Sequence, residues 1–162
     1  MASGFQLAGR QAEAYHAHTG VFMDGSARLL ADGAGIRPGD VVLDLACGTG
    51  LVAGHTAPLV GSSGRVVGVD VNAAMLEVAR GINGDVVEFV ESSCELLPFE
   101  DATFTHVLCQ QGLQFFPDPV GALREAGRVL RPGAALIATV WATPDGNPYI
   151  EAQLALFTAI DP

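Results

Sequence analysis

A chain of 162 residues suits one domain and leaves little room for a second, and 49% hydrophobic against 16% charged residues excludes a disordered acidic tail. With 8 basic against 18 acidic residues the formal net charge is -10, which repels phosphate backbones and argues against DNA or RNA as a partner. All 8 basic residues are arginine, which excludes a Schiff-base lysine, a pyridoxal-phosphate anchor and a P-loop lysine.

Two helical stretches open the chain, residues 6–18 and 24–34, the second carrying Ala27, Leu30, Ala31 and Ala34 at helical spacing. Arg37-Pro38-Gly39-Asp40 breaks the pattern. Val41-Val42-Leu43-Asp44-Leu45 reads as a first strand, followed by Cys47-Gly48-Thr49-Gly50 and a helix over 51–60. A second strand spans 66–70. Asn72 reads as the N-cap of a helix through Ala73, Leu76 and Ala79, with Gly81 just past its end. Third and fourth strands are expected over 86–91 and 104–109. Asp118-Pro119 then starts a helix, with Val120, Leu123, Gly127 and Leu130 on one face and Arg131-Pro132-Gly133 at its end. Residues 134–141 make a fifth strand and 149–159 a last helix.

Short, continuously apolar strands alternating with helices predict a parallel sheet covered on both faces, an α/β domain. Such folds bind ligands beyond the carboxyl ends of their strands. Three cysteines (Cys47, Cys94, Cys109) form no closed disulfide framework and fit no metal-ligand spacing. No apolar run approaches the roughly 20 residues that span a bilayer. The expectation is a cytoplasmic protein without metal and without membrane insertion.

The chemistry is concentrated after the first strand. Asp44 ends an apolar run, a small-residue turn leads into a helix, and small residues let a backbone approach a ligand closely. Asp70, twenty residues past Gly50, stands where a carboxylate takes both hydroxyls of a ribose. Together these describe a site for a nucleoside-containing cofactor. Gly48-Thr49-Gly50 with Gly54 could serve a dinucleotide, but Asp44 would repel a diphosphate and welcome an amino group and a sulfonium.

These residues carry a resemblance. Leu43-Asp44-Leu45-Ala46-Cys47-Gly48-Thr49-Gly50 resembles motif I of the class I S-adenosylmethionine (SAM)-dependent methyltransferases, nearest to the bacterial small-molecule branch that includes the ubiquinone/menaquinone methyltransferases. Gly68-Val69-Asp70-Val71-Asn72-Ala73-Ala74-Met75-Leu76 resembles the second-strand motif, and Glu95-Leu96-Leu97-Pro98-Phe99 with Asp101 the segment after strand three. Residues 110–118 resemble the stretch after strand four, and Arg128-Val129-Leu130-Arg131-Pro132-Gly133 the approach to strand five. The resemblance covers about residues 15–141.

It implies a Rossmann-like three-layer α/β/α sandwich with a mainly parallel five-stranded sheet, a helical cap over residues 1–38 and a core over 39–162. It implies SAM as cofactor, S-adenosylhomocysteine as product and a small-molecule or lipid-like acceptor. Carried over by position, Asp44, Ala46 and Gly48 form the methionine side, and Gly50 is a further cofactor-binding residue. Asp70 holds the ribose, Val71 and Met75 lie near the adenine, Ser93, Cys94 and Glu95 flank its edge, and Gln110 reaches in from strand four. Ser93 stands where an aspartate commonly accepts the adenine amino proton, and Ala46 where many members have glycine.

Cys47 and Cys109 read as small buried hydrophobes. Met75 and the Phe115-Phe116 pair fit core and ligand wall equally. His55 and His106 read as structural, while His16 and His18, near Tyr15, are candidates for a general base. Two rivals remain: a nucleotide-cofactor oxidoreductase and a non-catalytic SAM-fold module. Relatives continue past strand five with a helix and a β-hairpin. The chain ending at Asp161-Pro162 is therefore expected to lack that hairpin, bind SAM, transfer poorly, and pair as a homodimer along an uncovered fifth strand.

Overall fold

Proline, glycine and capping carboxylates cut the apolar runs into the alternating elements that the sequence predicts. The computed structural model describes residues 7–142. Helices α1 (Arg10–Tyr15) and α2 (Val21–Gly33) precede β1 (Val41–Leu45), α3 (Leu51–Val60), β2 (Arg65–Asp70), α4 (Ala73–Asn83) and β3 (Glu88–Glu91). Then come β4 (Phe104–Gln110), α5 (Pro119–Val129) and β5 (Leu130–Thr139). The strands lie in the order β3-β2-β1-β4-β5, and every registered pair is parallel.

Side chains alternate across the sheet, so neighbouring residues serve different cores. Val42, Val66 and Leu108 point to the face covered by α2, α3 and α4, where they meet Ala27, Leu30, Val52 and Leu76. Leu43, Val67 and Val107 point the other way, onto Ala122, Ala126 and Val129 of α5. The result is a three-layer Rossmann-like sandwich.

The first two helices do not separate. Between α1 and α2 the chain winds as a π-helix, His16–Gly20, with Gly20 in ordinary helical conformation. No proline stops it, and the His16 ring fills the space beside Gly20, where a Cβ would lie 3.2 Å from Nδ1. Helix α4 likewise runs past Gly81 to Asn83, and Gly84, at φ 56°, ends it.

Helix α5 presents the other face. Ala122, Ala126 and Val129 are buried, whereas Val120 is 64% and Leu123 43% exposed. Small residues let this helix sit close to the sheet, and Arg128 fixes its rotation. The guanidinium donates to the carbonyls of Leu97 and Phe99 and to the carboxylates of Asp101 and Glu125. Strand β5 begins at Leu130, four residues before expectation, because Arg131-Pro132-Gly133 forms a bulge rather than a helix end. The register jumps from Phe104↔Leu130 to His106↔Ala135, and Gly133 takes φ 80°. Proline is tolerated there because an outer strand needs no second set of donors. The expected helix over 149–159 and the segment that would carry a hairpin lie outside the described residues.

Candidate active site

The strand order reverses between β1 and β4, so the loops after these two strands diverge and leave a crevice at the carboxyl edge of the sheet. A cavity of about 410 Å³ opens there, within the range of small-molecule sites, about 300–1,000 Å³. The turn after β1 contributes Ala46, Cys47, Gly48 and Thr49; the end of β2 and start of α4 contribute Asp70, Val71, Asn72 and Met75. Ser93, Cys94 and Glu95 close one side, and Gln110, Gly112, Phe115 and Phe116 the other. Nine of the eleven expected residues therefore meet at one cavity, and Asp44 and Gly50 do not line it.

Asp70 sits at the centre. Its Oδ2 accepts from the Gly48 N–H at 2.8 Å and its Oδ1 from the Asn72 N–H at 2.9 Å, which ties the turn after β1 to the end of β2. Burial raises the Asp70 pKa, and these backbone donors oppose the rise. Each oxygen keeps a further acceptor site. Gly48 takes φ 54°, and a Cβ built on it would meet nothing within 4 Å, so its Cα faces open cavity.

Gly50 turns away from the cavity. Its φ is 77°, and a Cβ there would lie 2.7 Å from Asn83 Nδ2 and 2.9 Å from the Phe89 ring. This glycine lets α3 pass close to α4 and β3.

Asp44 likewise stands outside the lining. It is 2% exposed, and its Oδ2 accepts from the Ala53 N–H at 2.9 Å, anchoring the first turn of α3 behind the cavity. Burial raises its pKa to about 7, against the lowering effect of the Ala53 bond, and Asp70 adds to the rise. A carboxyl whose folded pKa exceeds its unfolded value binds a proton on folding. Its contribution is favourable below about pH 4 and is lost as pH rises toward 7. Asp44→Asn keeps an acceptor for Ala53 without the buried charge. It is expected to be more stable than the parent above pH 7 by on the order of a few kcal/mol, with the gap closing toward pH 4. Urea unfolding at pH 4.5 and pH 8, both conditions roughly bracketing that window, measures it. A gap independent of pH would show that Asp44 is ionised in both states throughout.

At the third-strand end, Ser93 Oγ donates to Glu95 Oε2, and the Glu95 N–H returns a bond to Ser93 Oγ at 3.2 Å. The carboxylate absent at position 93 thus stands two residues later. Gln110 lines the cavity, yet its amide donates to the Met23 carbonyl at 3.2 Å and to Ser26 Oγ at 2.7 Å, clamping α2 onto β4. The three thiols are buried and poor nucleophiles: burial pushes Cys109 up to about 12, and Cys47 and Cys94 upward as well.

Neither candidate base lines the cavity. His16 Nδ1 lies 2.9 Å from Thr49 Oγ1, fastening the π-helical turn to the turn after β1, and His18 is exposed. His55 pairs with Asp24, and His106 lies near Asp40 and Thr105. Tyr15 does line the cavity, and burial, with Asp70 adding, raises its pKa. The sequence alone also misses Thr19, Met23 and Trp141 as lining residues. They come from opposite ends of the described chain, which the stacking of Phe22 on Trp141, with centroids 6.1 Å apart, helps to bring together.

Among the described residues the lining contains Asp70 and Glu95 and no arginine or histidine. A diphosphate would be repelled there and a cationic ligand attracted. Among the described residues no group of histidine, cysteine and acidic side chains is arranged to hold a metal. No helix among them is long and apolar enough to cross a membrane. Fold and site together define an α/β protein with an acidic cavity at the switch point of its sheet, suited to a cationic ligand.

Comparison with known proteins specifies it further. Residues 43–138 match a family model described as a methyltransferase domain. The ubiquinone/menaquinone biosynthesis C-methyltransferase UbiE of Hahella chejuensis is 43% identical over 136 residues, covering 81% of this chain and 54% of that protein. UbiE of Cronobacter sakazakii is 40% identical over 131 residues, 77% of this chain and 52% of that protein. Among solved structures, a SAM-dependent methyltransferase from Aquifex aeolicus superposes with a TM-score of 0.65 at 25% identity, covering 71% of this chain and 63% of that one. A Bacillus halodurans protein described as a putative methyltransferase superposes with a TM-score of 0.67 at 32% identity, covering 80% of this chain and 56% of that one. The chain belongs to the class I SAM-dependent methyltransferase family. It spans about half the length of the curated relatives it matches. The family's cofactor is SAM, and the oxidoreductase reading falls with that membership.

Proposed function

We propose that the chain binds SAM in this cavity and transfers its methyl group to a small, apolar, ring-bearing acceptor. The observation that carries the reading is the lining itself: two carboxylates, no cationic side chain, and an open glycine at the turn after β1. Asp70 would accept the ribose hydroxyls, Val71 and Met75 would face the adenine, and Ser93 with Glu95 would take its amino group. Gly48 would let the backbone run along the methionine part. SAM supplies an electrophilic methyl group on a sulfonium. The chain's own contribution is alignment and exclusion of water, since in-line displacement is governed by approach geometry. Met23, Phe115, Phe116 and Trp141 form an apolar wall for the acceptor, and the Tyr15 hydroxyl, kept protonated by burial, is placed to hydrogen-bond it.

Calorimetric titration with S-adenosylhomocysteine and with NADH tests the cofactor. Transfer of labelled methyl from SAM to a panel of quinol-type and phenolic rings tests the acceptor. Binding of S-adenosylhomocysteine with transfer to a ring supports the reading, and failure to bind it overturns the cofactor assignment. Binding without transfer to any ring favours the non-catalytic module. As partner we propose a second copy pairing along β5, the outer strand of the described sheet, beside which Val140 is 55% exposed. Light scattering is expected to report a dimer, and a monomer at high concentration would discard that partner.

A further inference from the structure

The turn that follows β3 is held from outside the cavity. Its first residues close on themselves: Ser92 Oγ donates to the Leu96 carbonyl at 2.8 Å, and the Leu96 N–H to the Ser93 carbonyl at 3.1 Å. The chain then leaves through Leu97, whose side chain is buried and whose backbone pairs with no other backbone group among the described residues. Both of its polar groups go instead to an ion pair on α5. Glu125 Oε2 accepts the Leu97 N–H at 3.0 Å, and Arg128 Nη2 donates to the Leu97 carbonyl at 3.0 Å. Two further bonds of 2.8 Å join Arg128 to Glu125, so the pair presents donor and acceptor side by side, as a neighbouring strand would. All the N–H groups of the guanidinium are spent, the remainder on Phe99 and Asp101, and a lysine has fewer to give. At the other end of the same helix the Asp118 N–H donates to Glu95 Oε1 at 3.4 Å, while Ser93 Oγ donates to Glu95 Oε2. One helix therefore grips the turn at both of its own ends.

We propose that Glu125 and Arg128 are positioning residues for the cofactor: from outside the cavity they fix the turn that carries Ser93, Cys94 and Glu95, and so set how strictly the adenine ring is selected. Those three residues line the cavity, and neither Glu125 nor Arg128 does. A carboxylate tells an amino group from an oxo group only while its oxygens are held at hydrogen-bonding distance and angle; a turn free to shift loses that distinction. The proposal rests on the reading of the cavity as the SAM site, with Glu95 at the adenine amino group.

The test uses the full chain, Arg128→Met and Arg128→Lys, and three ligands. These are S-adenosylhomocysteine, S-inosylhomocysteine, whose ring bears an oxo group in place of the amino group, and the 2′-deoxy form of S-adenosylhomocysteine. The parent should prefer the adenine ligand over the inosine ligand by about tenfold or more. In Arg128→Met that preference should fall by more than about twofold, and Arg128→Lys, with the charge but fewer donors, should fall less. The penalty for removing the 2′-hydroxyl should stay as in the parent, because Asp70 is tied to Gly48 and Asn72 rather than to α5. A lower melting temperature is expected and enters neither ratio. A preference within about twofold of the parent's in folded Arg128→Met overturns the proposal. So does an equal fall in both ratios, which marks general loosening. If Arg128→Met fails to fold, Glu125→Gln, which sets an amide against Arg128 or Leu97, is read by the same criteria. A parent that fails to bind S-adenosylhomocysteine counts against the cavity reading; a parent that binds it without favouring adenine, or whose preference survives the substitution, counts against the positioning role alone.

Discussion

Asp70→Asn is expected to weaken S-adenosylhomocysteine binding by roughly ten- to a hundredfold, the loss of a charge-assisted pair of hydrogen bonds worth about 1.5–3 kcal/mol. One carboxylate oxygen becomes a donor, so the residue can take one ribose hydroxyl proton at most. The new amide also faces the N–H of Gly48 or of Asn72, both of which now donate to Asp70. A second effect follows: some loosening of the turn after β1, visible as a lower melting temperature. Asp70→Ala strands both N–H groups and should cost more stability, about 1–3 kcal/mol for each group left buried and unpaired. Calorimetry on folded Asp70→Asn separates the two effects. Unchanged affinity in a folded variant removes Asp70 from the ribose.

Gly48→Val should abolish measurable cofactor binding. Two costs act together. A residue with a Cβ at φ 54° pays about 1–2 kcal/mol for the left-handed backbone, more when β-branched. The isopropyl group then projects into space that is open in the protein and would belong to the ligand. Gly48→Ala is the milder probe, with a similar backbone cost and a single methyl in the cavity. The expected series is glycine above alanine above valine in affinity, with circular dichroism native-like throughout. Equal affinity across the series would show that the ligand passes elsewhere.

Much of this protein was legible before folding because the relevant physics is local. The β-branched run 41–45 is a strand at the residues expected, and Asn72 and Asp118 cap their helices, accepting from Ala74 and Met75 and from Gly121 respectively. The spacing from the glycine turn to Asp70 translates directly into neighbouring strand ends, because β1 and β2 pair in parallel from Val41↔Arg65 to Leu45↔Val69. Five of the expected residues, Ala46, Gly48, Asp70, Val71 and Met75, line one cavity for that reason.

What the sequence determined by itself, then, was the succession of elements, their caps and the end of the sheet at which the site forms, since apolar runs, turn residues and capping side chains act over a few residues. Only the tertiary structure decided where side chains point once the elements pack. Ala122, Ala126 and Val129 face the sheet at helical spacing, and Val120 and Leu123 are left exposed. Asp44 turns inward to hold α3, and Gly50 gives way to Asn83 and Phe89, both more than thirty residues further along the chain. Nδ2 of Asn72 has no partner among the described residues because its oxygen satisfies the helix, while burial removes the water that would have satisfied the nitrogen.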